Sequence, residues 1–203
     1  MKDMNQILDI FPINSKPLGL SYAEWSIKWW QWITSIPIEQ NPAYDQNGEF
    51  VNVNQNIRNV TFLCQTIEGA KCTPIRTNTI HKGGLFFMPI INWISIEGID
   101  GYNDIDLITM AKNKMDVIEK LELKINGLMN NYELIRNRVN STFFIIDLPK
   151  NNIFNLEVGK RRCISDGYWV FFQYYSDALN LYTNSSCSSG VTQISVEYNL
   201  KVL

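Results

Sequence analysis

The chain has 203 residues, of which 45% are hydrophobic and 19% are charged, and its formal net charge is −2. This composition favours a packed globular core and argues against global disorder. The small net charge argues against a broad surface for nucleic acid or for anionic membranes. No run approaches the roughly 18 consecutive apolar residues of a transmembrane helix, and the first residues show no recognisable signal peptide.

The length fits one well-filled domain or at most two small ones. Residues 1–19 show no periodicity and carry Pro12 and Pro17, so they predict an extended N-terminal arm. Residues 20–203 alternate short apolar segments with turn-forming residues and show no internal repeat. We therefore expect a single domain over 20–203.

An unusual concentration of tryptophan follows the arm, with four of the six tryptophans lying between residues 25 and 32. Ser21 followed by Glu24 fits a capping box, and Pro37 disfavours a helical conformation at the residue before it. The segment therefore predicts a helix over about 22–34.

The spacing of the tryptophans within this helix divides them into two groups. Trp25, Trp29 and Trp32 are spaced i, i+4, i+7 and share one face, a pattern more typical of core than of a binding surface. Trp30 lies to one side of that face. Because four indoles are crowded together, we expect Trp30 to be the ring that stays exposed, and the buried face to close the end of a β-sandwich.

The remainder of the chain is mostly β in pattern. A helical period returns only once, over 104–119, where Asp104 is the predicted N-cap. Leu85–Ile91 is an apolar run that predicts a strand buried on both faces and either bulged or ended near Pro89. Predicted strands are 60–66 and 71–77 as a hairpin, 85–91, 121–127, 142–148, 168–175 with 179–182 returning beside it, and 191–202. The strand at 121–127 ends in Asn126-Gly127, a signature of a tight turn. The expected fold is a mainly β, single-domain β-sandwich of jelly-roll or immunoglobulin-like type.

The four cysteines are an even number, which permits two disulfides. Cys64 and Cys72 lie symmetrically about the predicted hairpin turn at 68–69, so they face each other if the hairpin forms. Cys163 and Cys187 would then pair by default. The alternative is four reduced thiols. The absence of a C-x-x-C motif and the single histidine argue against a zinc site.

Several motifs in order along the chain carry a family resemblance. They are the W-x3-WWxW helix at 25–32, the FFMPIIN segment at 86–92, the SDGYW segment at 165–169 and the V-x-Y-x-L-x-V segment at 196–202. Together these segments resemble a family of small, uncharacterised bacterial and archaeal proteins, many of them exported. The resemblance implies a single all-β domain and an extracytoplasmic setting, which paired cysteines would also fit, and it carries no established activity, substrate or cofactor.

Candidate ligand-binding residues lie in or beside three of these motifs, the tryptophan helix, the FFMPIIN segment and the SDGYW segment. Asp166 either begins a turn into the aromatic strand or lines a pocket together with the rings that follow it. Residues 92–93, after the buried strand, are expected at the rim of such a pocket. The ligand-binding candidates are Trp30, Asn92, Trp93, Asp166, Tyr168 and Trp169. We expect no catalytic residue, metal or cofactor.

Three functional hypotheses follow. The leading hypothesis is a non-enzymatic protein that uses aromatic residues to bind a carbohydrate or another cell-envelope component. The second is a carbohydrate-active or other hydrolytic enzyme with acidic residues near the tryptophan helix, such as Glu24 with Asp166. The third is a self-assembling envelope protein, a homo-oligomer in which the arm docks onto a neighbouring copy.

Overall fold

The structure is a computed structural model that describes residues 8–57, 59–66, 73–80, 84–129, 134–176, 178–187 and 193–202. Within these ranges the chain forms helices α1 (Tyr22–Thr34) and α2 (Asp104–Asp116) and short 3-10 helices at Pro17–Gly19, Ile38–Gln40 and Leu134–Asn137. The strands are β1 (Leu8–Ile10), β2 (Val60–Phe62), β3 (Ile75–Ile80), β4 (Leu85–Ile96), β5 (Ile118–Ile125), β6 (Leu128–Met129), β7 (Arg138–Asn140), β8 (Phe144–Leu148), β9 (Gly159–Tyr174), β10 (Ala178–Cys187) and β11 (Gln193–Val202).

These strands form two sheets. In sheet A, β4 pairs along one side of the long strand β9, and β8, β7 and β1 pair in turn along its other side, with β2 beyond β4. Sheet B has the order β3–β11–β10–β5–β6. The pairs β2–β4 and β3–β11 are parallel. The mainly β fold predicted from the sequence is confirmed.

Sheet A is the middle layer of three. Along β9, Tyr168, Val170 and Phe172 pack against side chains of sheet B, while Trp169 and Phe171 pack against α1. This alternation is the period of two of a β-strand. We call the side towards sheet B the inner face of sheet A and the side towards α1 its outer face. Helix α2 also covers the inner face, beside sheet B, because its buried side chains pack against Ile164.

Helix α1 has the predicted boundaries and the predicted capping box. The Ser21 hydroxyl accepts the backbone N–H of Glu24, and the Glu24 carboxylate accepts the backbone N–H of Ser21. The predicted core stripe of Trp25, Trp29 and Trp32 is buried. The expectation that this stripe closes the end of a sandwich is wrong: α1 lies on the outer face of sheet A, where β4 and β9 present their aromatic rings.

Two local predictions are confirmed in detail. The register of β4 against β9 shifts between Pro89 and Ile91, so the strand is bulged at the proline as expected. At the end of β5, Asn126 and Gly127 both have positive φ angles, of 51° and 74°. That conformation is the one a two-residue hairpin turn requires, and it joins β5 to β6.

Three predictions of pairing and capping are wrong. The hairpin of 60–66 with 71–77 does not form, because β2 pairs with β4 in sheet A whereas β3 pairs with β11 in sheet B. Strand β10 does not return beside β9 but crosses to sheet B, between β11 and β5. The N-cap of α2 is Asn103, whose side chain accepts the backbone N–H of Asp106.

The described part of the arm belongs to the chain's own sheet. Strand β1 pairs with the end of β9, and the backbone N–H of Phe11 donates to the carbonyl of Phe171 at 2.9 Å. The Tyr22 hydroxyl then donates to the Phe11 carbonyl at 2.6 Å. Residues 8–11 therefore complete an edge of sheet A, whereas the arm hypothesis placed them on a neighbouring copy.

The structure contains neither of the expected disulfides. Cys64 and Cys163 are both buried free thiols. Cys72 and the side chain of Cys187 lie outside the described residues. Cys64 lies two residues after β2, which pairs with β4 and not with residues of the predicted hairpin.

Candidate functional site

The six predicted ligand-binding residues come close together in the fold but do not share one pocket. Five of them lie on β4 and β9, which are neighbours, and the sixth lies on α1. Alternation along the strands separates them into two sets. Trp93, Asp166 and Tyr168 are on the inner face of sheet A, and Trp30, Asn92 and Trp169 are on its outer side.

On the inner face, Asp166 is neutralised by an arginine that was not predicted. The guanidinium of Arg138, from β7, lies 2.6 Å from Oδ2 of Asp166 through Nη2. The same guanidinium reaches Oδ1 of Asp116, at the end of α2, at 2.7 Å. The ring of Tyr168 lies beneath it, with the guanidinium carbon 5.9 Å from the ring centre. Arg138 therefore ties β7, β9 and α2 together, and both carboxylate oxygens of Asp166 are engaged by its guanidinium.

The electrostatics of this cluster fit a structural ion pair. Hydrogen bonding to Asp166 raises the pKa of Arg138 above its ordinary value. Hydrogen bonds from Lys112 and Arg138 lower the pKa of Asp116. Burial raises the pKa of Tyr168, so its phenol stays protonated at neutral pH. Each charge has an opposite charge beside it, which leaves no free acid or base for catalysis in this cluster.

Trp93 lies at the far side of this cluster under α2. Its ring is partly buried, and the ammonium of Lys114 lies 4.3 Å from the ring centre. This distance is within the range of a cation–π contact. Lys114 therefore covers a face of the Trp93 ring on which a ligand would otherwise stack.

On the outer side, the tryptophans form a continuous aromatic layer. Trp169 is stacked on Phe87 with ring centres 5.0 Å apart and meets Trp29 edge-on at 5.4 Å. Trp30 packs edge-on against Trp29 at 5.0 Å and is only 7% exposed. The expectation that Trp30 is an exposed ring is therefore wrong, because Trp30 is packed within the same core cluster as the other three tryptophans of α1.

A cleft of about 250 Å³ opens beside this layer, between α1 and the loop at 54–57. The rings of Trp32 and Phe62 both line the cleft, and their centres are 5.4 Å apart. We call these two rings the floor of the cleft. Trp32 is held in place because its Nε1–H donates to the carbonyl of Val53 at 2.9 Å. The residues lining the cleft are Lys28, Gln31, Trp32, Ser35, Asn54, Asn56, Ile57 and Phe62.

Sequence reasoning missed the polar side of this cleft. Lys28, Gln31 and Ser35 are exposed and recur at helical spacing along one side of α1 and its C-cap, beside Trp32. Asn54 and Asn56 are exposed in the facing loop. The helical spacing alone was a usable signal for the first three. The two asparagines gave no local signal, since only the tertiary fold brings their loop to α1.

A second buried polar cluster lies between the two sheets. The guanidinium of Arg76 is fully buried and donates to the carbonyl of Cys64 at 2.8 Å and to the Tyr198 hydroxyl at 2.7 Å. Its Nε donates to the carbonyl of Asp45 at 2.8 Å. Burial raises the pKa of the Cys64 thiol, although the nearby Arg76 charge works to lower it. Cys64 is therefore a protonated thiol at neutral pH, fixed in a structural network.

The carboxylates proposed for a hydrolytic site do not face each other. Glu24 is exposed at the start of α1 and is engaged in the capping box, whereas Asp166 lies on the inner face of sheet A beside Arg138. His81 lies outside the described residues. Within the described part of the chain, no three potential metal ligands from His, Cys, Asp and Glu lie together.

Comparisons with known proteins add no relative. No family model, no curated protein and no solved structure matches this chain. The family resemblance of the sequence motifs therefore stays a prediction. Over the residues that the structure describes, none of the helices has the length and apolar character needed to cross a membrane.

Proposed function

We propose that this protein is a non-catalytic carbohydrate-binding protein and that the cleft beside α1 is its ligand site. The single observation that carries the proposal is the composition of the cleft, an aromatic floor beneath a rim of amides, a hydroxyl and an ammonium group. A sugar ring has an apolar C–H face and a periphery of hydroxyl groups, so it complements such a cleft. Aromatic rings pack on the C–H face, and amides both donate hydrogen bonds to the hydroxyl groups and accept them.

Size and charge narrow the ligand class. The cleft volume of about 250 Å³ is below the roughly 300–1,000 Å³ of sites that hold drug-sized ligands. One sugar ring, or the end of a longer glycan, fits that volume better than an extended chain does. Lys28 is the single charged residue of the lining, so the ligand is a neutral or weakly acidic sugar. A cell-envelope glycan is the class that this proposal favours.

Isothermal titration against a panel of glucose, galactose, mannose and N-acetylglucosamine oligomers tests the proposal. At least one oligomer should bind, and Lys28→Ala and Asn56→Ala should each weaken binding about three- to tenfold, the effect of one lost hydrogen bond. Lys120→Ala makes the same charge change on sheet B, away from the cleft, and should leave affinity unchanged. The proposal fails if nothing in the panel binds, or if Lys120→Ala weakens binding as much as the cleft variants do.

A further inference from the structure

Five residues, one on α1 and four from the part of the chain that α1 covers, carry buried polar atoms with no hydrogen-bond partner in the described chain. They are Nε1 of Trp30 and of Trp169, Nδ2 of Asn92, both amide atoms of Asn137 and Oγ of Ser165. We call these residues the outer-face polar patch. We propose that the patch is a buried binding site for a compact ligand with two or more acceptor oxygens, of the carboxylate or small-oxyanion class.

The strand register places these side chains together. Asn92 is opposite Gly167, and Ser165 and Trp169 are two residues to either side of Gly167 on the same face of β9. Same-face neighbours along a strand are about 7 Å apart. A Cβ at Gly167 would lie 2.6 Å from the Cβ of Asn92, so the two strands approach closely at this point.

The other two residues border the same area. Arg138 pairs with Tyr168, which puts the backbone of Asn137 beside that of Trp169. Trp30 is linked to Trp169 through Trp29, whose ring centre lies 5.0 Å from that of Trp30 and 5.4 Å from that of Trp169. The patch therefore draws on α1, β4, β9 and the residue before β7.

The unpaired indoles stand out against their neighbours on the same helix. Nε1 of Trp25 donates to the Pro17 carbonyl at 3.0 Å, and Nε1 of Trp29 donates to the Leu63 carbonyl at 2.8 Å. Trp32 is paired in the same way with a backbone carbonyl. Buried donors are normally satisfied, and leaving one unpaired is destabilising. Several unpaired donors in one area therefore indicate that a bound group completes them.

The balance of donors and acceptors selects the ligand class. An indole N–H can only donate, and the Nδ2 atoms of Asn92 and Asn137 also donate. Oδ1 of Asn137 is the one unpaired atom of the patch that can only accept, because the Ser165 hydroxyl can donate as well as accept. Water brings two hydrogens of its own and needs acceptors for them, whereas a carboxylate brings oxygens alone. The excess of donors therefore favours an acceptor-rich anion over water.

This site is separate from the proposed carbohydrate cleft, because no residue lines both. Indole ¹⁵N–¹H NMR of the full chain, titrated with sodium formate and sodium acetate, tests it. The Nε1–H resonances of Trp30 and Trp169, assigned with Trp→Phe variants, should shift downfield and saturate. Those of Trp25, Trp29 and Trp32 should shift by less than a fifth as much. Acetamide, which is neutral and has the same shape as acetate, should bind at least tenfold more weakly.

Matched variants separate a specific site from a general salt effect. Asn92→Ala should weaken acetate binding at least tenfold, while Lys120→Ala, on sheet B, should leave it unchanged. If Asn92→Ala is unfolded by circular dichroism, Ser165→Ala provides the same test with a smaller expected loss, of about threefold. The inference is overturned if neither anion gives a saturable shift, if acetamide binds as well as acetate, or if a long-lived water contacts both indoles throughout the titration.

Discussion

The guanidinium of Arg138 holds both carboxylate oxygens of Asp166, with Nε 3.1 Å from each oxygen and Nη2 2.6 Å from Oδ2. Its Nη2 also donates to the Lys112 carbonyl of α2 at 3.0 Å. One side chain thus fastens α2 and β7 to the central strand of sheet A. Because the Asp166 side chain is 7% exposed, its charge depends on this single partner.

Removing Arg138 is expected to lower the stability of the fold substantially. Arg138→Ala leaves the buried Asp166 carboxylate unpaired and should lower the free energy of unfolding by about 3 kcal/mol, the scale for breaking a buried ion pair. Urea denaturation measures the change. Arg162→Ala is the matched control, because Arg162 pairs with the more exposed Asp104 and Glu97 and should cost under about 1 kcal/mol. Equal losses of unfolding free energy in the two variants would show that the buried pair of Arg138 with Asp166 stabilises the fold no more than an exposed pair does.

Two adjacent tryptophans offer a second comparison. Trp29→Phe removes the donor to the buried carbonyl of Leu63 and should cost roughly 1–3 kcal/mol beyond the packing loss. Trp30→Phe removes an indole N–H with no partner in the described chain. In buffer free of carboxylates, Trp30→Phe should therefore lower the free energy of unfolding by roughly 1–3 kcal/mol less than Trp29→Phe does. Thermal and urea unfolding of both variants decide the order, and a more damaging Trp30→Phe would contradict it.

Predictions from local sequence succeeded where a few neighbouring residues decide the conformation. The capping box of Ser21 and Glu24 fixes the start of α1, and Pro89 introduces an irregularity in whichever strand contains it. Pairing failed because it is non-local. Nothing within 60–80 distinguishes a hairpin from two strands in different sheets, since the partners β4 and β11 lie elsewhere in the chain.

The candidate site shows the same division. The strand period of two already separates Tyr168 from Trp169, so the sequence could have predicted that these rings face opposite sides of the sheet. It could not predict that Arg138 neutralises Asp166, or that Asn56 faces α1, because both contacts join distant parts of the chain. The burial of Trp30 could not be predicted because the core cluster that contains Trp30 draws its members from distant parts of the chain.

Gly167 is expected to tolerate no side chain. A Cβ there would lie 2.9 Å from the backbone oxygen of Ile91 as well as against Asn92. Because backbone atoms of β4 are among these contacts, a side chain at Gly167 would require the paired strands β4 and β9 to move apart. Gly167→Ala should therefore destabilise by about 2 kcal/mol, within the range for overpacking. Urea denaturation measures the loss.

Gly127→Ala provides the control for a simple backbone effect. Gly127 has a positive φ of 74° but nothing within 4 Å of an added Cβ. Its substitution should cost about 1 kcal/mol, from the left-handed conformation alone. If Gly167→Ala is the milder of the two, the close approach of β4 and β9 does not restrict that position.

Stability is expected to fall at high pH because of the buried thiols. Burial raises the pKa of Cys163 to about 12, helped by the nearby carboxylates of Asp100 and Glu97, from an ordinary value of 9.0. Between these pH values the unfolded chain releases the Cys163 proton while the folded chain retains it. The free energy of unfolding should therefore be highest below pH 9 and decrease as the pH rises towards 12.

Urea denaturation at pH 8 and at pH 10.5, with reductant present, measures this dependence. Cys163→Ala removes the titrating group and should show a smaller decrease between the two pH values than the unsubstituted protein. Cys64, whose pKa burial also raises, acts in the same direction in both proteins, so the comparison isolates Cys163. An equal decrease in the two proteins would mean that the Cys163 thiol ionises as readily in the folded chain as in the unfolded one.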